Sequence, residues 1–86
     1  MHKRFSDRGF DDYLYWQTQD KKTLKRINDL LKDIERNGAA KGIGKPEPLK
    51  YRPGWSRRID DKNRLVYDVQ GENLYIIACK GHYSDK

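Results

Sequence analysis

Eighty-six residues are enough for one small core and too few for two, because a chain of this length buries only about 60 to 65% of its unfolded surface, so residues 1–86 are expected to form one domain. Only 35% of the residues are apolar and the mean hydropathy is -1.15, yet two Trp, six Tyr and two Phe can build a core while keeping polar tips wet, which disfavours wholesale disorder. The lone cysteine excludes an internal disulfide and a Cys-rich zinc site, no stretch approaches the roughly 20 apolar residues that span a bilayer, and the net charge of +6 points toward an anionic partner.

The opening HKRFS, residues 2–6, fits a short first strand, and Ser6 or Asp7 fits the N-cap of a first helix. Nothing in MHKRFSDRGF has the apolar run of a secretion signal, so a cytoplasmic protein with no membrane anchor is expected. From Asp7 to Gln17, the residues Phe10, Tyr13, Leu14 and Trp16 recur at mainly helical spacing and predict an amphipathic helix ending near QTQD. Asp20 is placed to cap a second helix, in which Leu24, Ile27, Leu30, Leu31 and Ile34 step by threes and fours until Asn37-Gly38 ends it. The outer faces of both helices together offer a surface for a homodimer.

Three Gly and two Pro in GAAKGIGKPEP then forbid regular structure and predict an exposed loop that delivers Glu47. Its GIGK is not a phosphate loop, since it lacks the following Ser or Thr and opens onto no helix. Beyond it the pattern changes to short strands, LKY, WSRRI, RLVYDV and LYIIACKGHY, separated by turn signals at Arg52-Pro53-Gly54, Asp60 to Asn63 and Gln70 to Asn73. In RLVYDV, Leu65, Tyr67 and Val69 share one face, and Arg64, Val66 and Asp68 the other. The predicted architecture is α+β, in β-α-α-β-β-β-β order, with two N-terminal helices on one face of a mainly antiparallel sheet.

Residues 41–64 hold eight Lys and Arg against only Glu47, Asp60 and Asp61, so nearly all of the net charge falls there. Such a field steers polyanions and gains from counterion release, although a merely solvated basic face has the same composition. Two histidines and scattered acid pairs do not make a metal-ligand set, and neither a metal nor another cofactor is expected. Cys79, inside an apolar run, reads as a buried thiol, and Trp16, Trp55 and Tyr67 read as packing residues. His82 and Tyr83 follow that run, where an apolar core would not ask for an imidazole. Together Glu47, Lys50, Arg58, Arg64, His82 and Tyr83 supply a carboxylate, cations, an imidazole and an aromatic ring. Metal-independent RNA cleavage needs such a set: a base for the 2′-hydroxyl proton, cations for the five-coordinate phosphorus and an acid for the departing 5′-oxygen.

DDYLYWQ, RINDLL, GKPEPLK, WSRRI, RLVY and CKGHY, in this order over nearly the whole chain, resemble the YoeB group of RelE-superfamily toxins. The resemblance implies a RelE-like fold and a ribosome-dependent mRNA endoribonuclease that cleaves in the ribosomal A site and is held inactive by a YefM-like antitoxin. It also implies Glu47 as general base, Arg64 as the cation of the transition state, His82 as general acid and Tyr83 as support for the scissile nucleotide. Lys50 and Arg58 fall on phosphate-binding positions, and Arg57 on one suited to ribosomal RNA. Asn63 stands where the family often has His, Gly81 where it has a bulkier residue, and the hairpin around Arg52-Pro53-Gly54 is about two residues short. Two other readings remain: a non-catalytic RNA- or protein-binding module, and a ParE-like gyrase poison, which fits the helices but not Glu47, Arg64 and His82.

Overall fold

In the computed structural model, which describes residues 1–82, seven elements follow one another: β1 (His2–Phe5), α1 (Asp7–Gln19), α2 (Lys21–Asn37), β2 (Glu47–Pro48), β3 (Trp55–Arg58), β4 (Arg64–Gln70) and β5 (Asn73–Ala78). This is the predicted order. The sheet runs β1-β5-β4-β3-β2, antiparallel throughout except that β1 lies parallel to β5.

Local chemistry sets both helices. Ser6 caps α1 by accepting from the Gly9 N–H at 2.9 Å. Asp20 alone separates the helices and serves both, its N–H reaching the Trp16 carbonyl while its carboxylate accepts from the N–H groups of Lys22 and Thr23. Gly38, with φ of 88°, ends α2 and returns its N–H to the Ile34 carbonyl.

The helices cover one sheet face. Trp16, Ile27, Leu30, Leu31 and Ile34 pack there against Ile59, Leu65, Tyr67, Leu74, Ile76 and Cys79. At about 1.5–3 kcal/mol for each large apolar side chain removed from water, this face carries most of the folding drive. Strand alternation sends Val66 to the opposite face, and a register shift between Val66 and Tyr67 brings Ala78 there opposite it, where they meet Leu49 and Ile77 in a smaller cluster.

Two expected strands are displaced. LKY is not a strand; the short edge strand is Glu47–Pro48, paired with Ser56 and Trp55. An edge tolerates proline because no ladder bond is asked of its missing N–H, and the Leu49 N–H to Gly54 carbonyl bond then closes the turn. The last strand stops at Ala78 rather than running through His82. There α1 captures the Cys79 backbone: the Asp12 carboxylate accepts its N–H at 3.0 Å and the Trp16 indole N–H donates to its carbonyl at 2.8 Å. With both groups taken by side chains, Cys79 cannot extend the ladder.

Candidate functional site

Strand register places the site on the sheet face away from the helices. Glu47 lies opposite Ser56, Ser56 opposite Val66, and Arg58 opposite Arg64, so Glu47, Arg58 and Arg64 project from one surface beside the Val66 and Ala78 cluster. The Arg64 Nη1 donates to Glu47 Oε1 at 3.1 Å, with the arginine side chain 19% exposed and the carboxylate 53% exposed. Residues 17 positions apart are thus one ion pair at the surface.

Arg64 also receives the C-terminal segment: its backbone N–H donates to the Gly81 carbonyl at 3.1 Å, which sets the exposed His82 next in line. The expected base, transition-state cation and acid therefore share one corner, with Arg64 as the common member. Arg58 flanks it and pairs with Asp61 at 2.6 Å in the turn, and Lys50 is exposed just beyond β2. Tyr83 lies outside the described residues.

Arg57 corrects the expectation of an RNA contact. Its side chain is fully buried, on the helix-facing side of β3. Nη1 donates to the Asp33 carboxylate at 2.5 Å and to the Ile43 carbonyl, Nη2 to the carbonyls of Gly38 and Lys41, and Nε to the Tyr67 hydroxyl. The Tyr67 hydroxyl in turn donates a hydrogen bond to the Ala39 carbonyl at 2.6 Å. Five bonds saturate the guanidinium fork, leaving none for phosphate. Its hydrogen bond and charge hold the Asp33 carboxyl below the usual carboxylate range against the effect of burial, while burial raises the Tyr67 phenol.

The effect of this network is to fasten the glycine-rich loop. Arg57 grips three of its carbonyls, and Asp33 accepts the Ile43 N–H at 3.0 Å. Gly42, at φ of 120°, fits because a Cβ there would collide with that carboxylate. The loop expected to be merely exposed is held from below and presents Glu47 at a defined place. The signal for this in the sequence is Asp33, an acid between Leu30 and Ile34 on the apolar stripe of α2, where a buried carboxylate demands a cation.

Cys79 is buried, and burial pushes its thiol up to about 12, as expected of a packing residue. No three His, Cys, Asp or Glu side chains converge as a metal-ligand group among the described residues. No helix among them is long and apolar enough to cross a membrane.

A family model described as the YoeB-like toxin of bacterial type II toxin-antitoxin systems matches residues 5–83. Toxin YoeB of Escherichia coli strain K12 is 51% identical over 81 residues, covering 92% of this chain and 95% of that protein. The structure of the YoeB dimer from Staphylococcus aureus is 50% identical and superposes with a TM-score of 0.92, covering 96% of this chain and 98% of that one. The heterotetrameric YoeB-YefM toxin-antitoxin complex from the same species gives a TM-score of 0.90 at 50% identity, with the same coverage. The β-α-α-β architecture, the match of nearly the whole sequence and these neighbours agree, and the chain belongs to the YoeB family of type II toxins.

Proposed function

We propose that the chain is a ribosome-dependent endoribonuclease that cleaves mRNA in the ribosomal A site by general acid and base catalysis and so arrests translation. The observation that carries this reading is the placement of Arg64, whose side chain holds Glu47 while its backbone holds the segment bearing His82. A phosphate entering this corner competes with Glu47 for the Arg64 guanidinium. Once exchanged, Arg64 faces the phosphorus and the Glu47 carboxylate takes a proton.

The 2′-hydroxyl of the substrate then attacks the adjacent phosphorus as Glu47 removes its proton. Arg64, with Arg58 and Lys50 on the flanks, offsets the charge gathering on the phosphoryl oxygens. The bond from phosphorus to the 5′-oxygen breaks, His82 protonates that oxygen, and the products are a 2′,3′-cyclic phosphate and a 5′-hydroxyl end. Tyr83 is assigned to support of the scissile nucleotide. The ribosome contributes alignment of an otherwise flexible strand, which is worth several kcal/mol. Activity belongs in the cytoplasm, where translation occurs. A YefM-like antitoxin segment, acidic or amphipathic, covers the basic sheet face, and the chain also forms a homodimer, as its S. aureus relatives do.

Single-turnover cleavage of ribosome-bound and naked RNA tests the proposal. Glu47→Gln and His82→Gln should each slow cleavage on the ribosome by about 10²–10⁴-fold without weakening ribosome binding. Equal rates on naked and ribosome-bound RNA would sink it. A non-catalytic binding module would instead give salt-sensitive binding and no product.

A further inference from the structure

We propose that Asn63 is a positioning residue for His82, acting by gripping the peptide immediately before it; this rests on the nuclease reading above. Asn63 ends the turn between β3 and β4, and that turn is internally braced. The Asp60 Oδ1 accepts the N–H groups of Lys62 and Asn63 at 2.8 Å each, and the Asn63 Nδ2 donates back to both oxygens of the same carboxylate at 3.1 and 3.2 Å. The Asn63 carbonyl accepts from the N–H groups of Ile59 and Asp60. The amide is thus pinned on its nitrogen side, with its oxygen aimed outward.

That oxygen accepts the Gly81 N–H at 2.7 Å, and the neighbouring Arg64 N–H donates to the Gly81 carbonyl at 3.1 Å. Both polar groups of Gly81 are therefore held by consecutive residues, Asn63 and Arg64. Gly81 itself turns at φ of 79°, a left-handed conformation that glycine adopts without strain. His82 comes directly after it, exposed, and its ring makes no hydrogen bond among the described residues. The place of the imidazole is then set by its backbone, and the backbone by this two-point grip. Because Arg64 is one of the two points, the acid is indexed to the same residue that would meet the phosphate.

An imidazole displaced by about 1 Å can cost on the order of 10²-fold in rate. Asn63→Ala removes one point of the grip and both side-chain bonds to Asp60. Cleavage by programmed ribosomes should show kcat lowered by roughly 10- to 100-fold with KM and ribosome affinity unchanged. Amide exchange at Gly81, followed by NMR, should accelerate in the same variant while exchange in β4 and β5 does not. At pH 8 the neutral imidazole of Asn63→His offers one donor and one acceptor, so this variant should restore both the rate and the Gly81 protection.

Wild-type kcat in Asn63→Ala, unchanged exchange at Gly81, or no rescue by Asn63→His would each overturn the proposal. If Asn63→Ala fails to fold, Asn63→His against wild type carries the comparison, with normal rate and protection supporting the grip and their loss overturning it. Should wild-type protein itself leave ribosome-bound mRNA intact, the nuclease reading fails, and the exchange measurement still decides whether Asn63 holds the segment.

Discussion

Replacing Arg57 with alanine should destabilise the protein severely while leaving its electrostatic attraction to RNA almost intact. The guanidinium is fully buried with five hydrogen bonds, and its loss leaves the Asp33 carboxylate, the Tyr67 hydroxyl and three loop carbonyls short of a donor. Breaking a buried ion pair from one side costs about 3–5 kcal/mol. A chain of this length has roughly 4–13 kcal/mol of stability in total, so the variant falls to marginal stability or below. With a urea dependence near 1 kcal/mol per molar, the unfolding midpoint should drop by about 3 M or more. Circular dichroism and Trp fluorescence in urea would measure it. Asp33→Ala should cost a comparable amount, and the paired replacement Asp33→Leu with Arg57→Met less than either single change, since neither charge is then left alone in the interior. In the salt dependence of RNA binding, Lys50→Ala should reduce the slope by about 1, and Arg57→Lys, if folded, should leave it unchanged. A stability loss in Arg57→Ala below about 1 kcal/mol, the range of an exposed ion pair, would refute the reasoning.

Acid should erase the contribution of Asp33. Its folded-state carboxyl is held below the usual range by Arg57, so its stabilisation is complete above an unfolded value near 3.9 and disappears as pH falls through the lower folded value. The stability gap between wild type and Asp33→Asn should thus be wide at pH 7 and shrink steadily on acidification below about pH 4, and a gap independent of pH in urea titrations would contradict this. Cys79, fully buried and raised to about 12, should be inert to thiol reagents at pH 8 in the native protein and react only as fast as the chain opens, which Ellman-type kinetics in increasing urea would show. Gly42→Ala should combine backbone strain with a clash at Asp33, lowering the thermal midpoint by several degrees and slowing cleavage through a displaced Glu47; an unchanged midpoint would mean the loop is not clamped.

The parts of the fold that were legible in the sequence are those decided within a few residues. Ser6, Asp20 and Asn37-Gly38 mark helix ends because caps act over one turn, and the apolar stripe of α2 is visible as spacing. The end of β5 was not legible, since it depends on Asp12 and Trp16 reaching across to Cys79 from more than 60 positions away. Consecutive Arg57 and Arg58 look alike as letters. Alternation sends them to opposite sheet faces, but only the presence of Asp33 beneath β3 decides which one is structural. Glu47 and Arg64 stand out in the sequence as a carboxylate and a cation of one set, and the family resemblance adds their separate roles; their contact depends on the joint register of β2, β3 and β4, which no local pattern in either segment encodes.

The parallel pairing of β1 with β5 has a bearing on how the molecule is made. Among the described residues β1 has β5 as its sheet neighbour, and β5 must insert between it and β4. A ribosome releases the chain from its amino end, so β1 emerges with nothing to pair with and waits through some 70 residues of synthesis for its partner, a separation that makes closure slow and nonlocal. The corner joining Glu47, Arg64 and Gly81 draws on segments from both sides of β4 and is completed only once β5 has paired and the segment after it has reached Arg64.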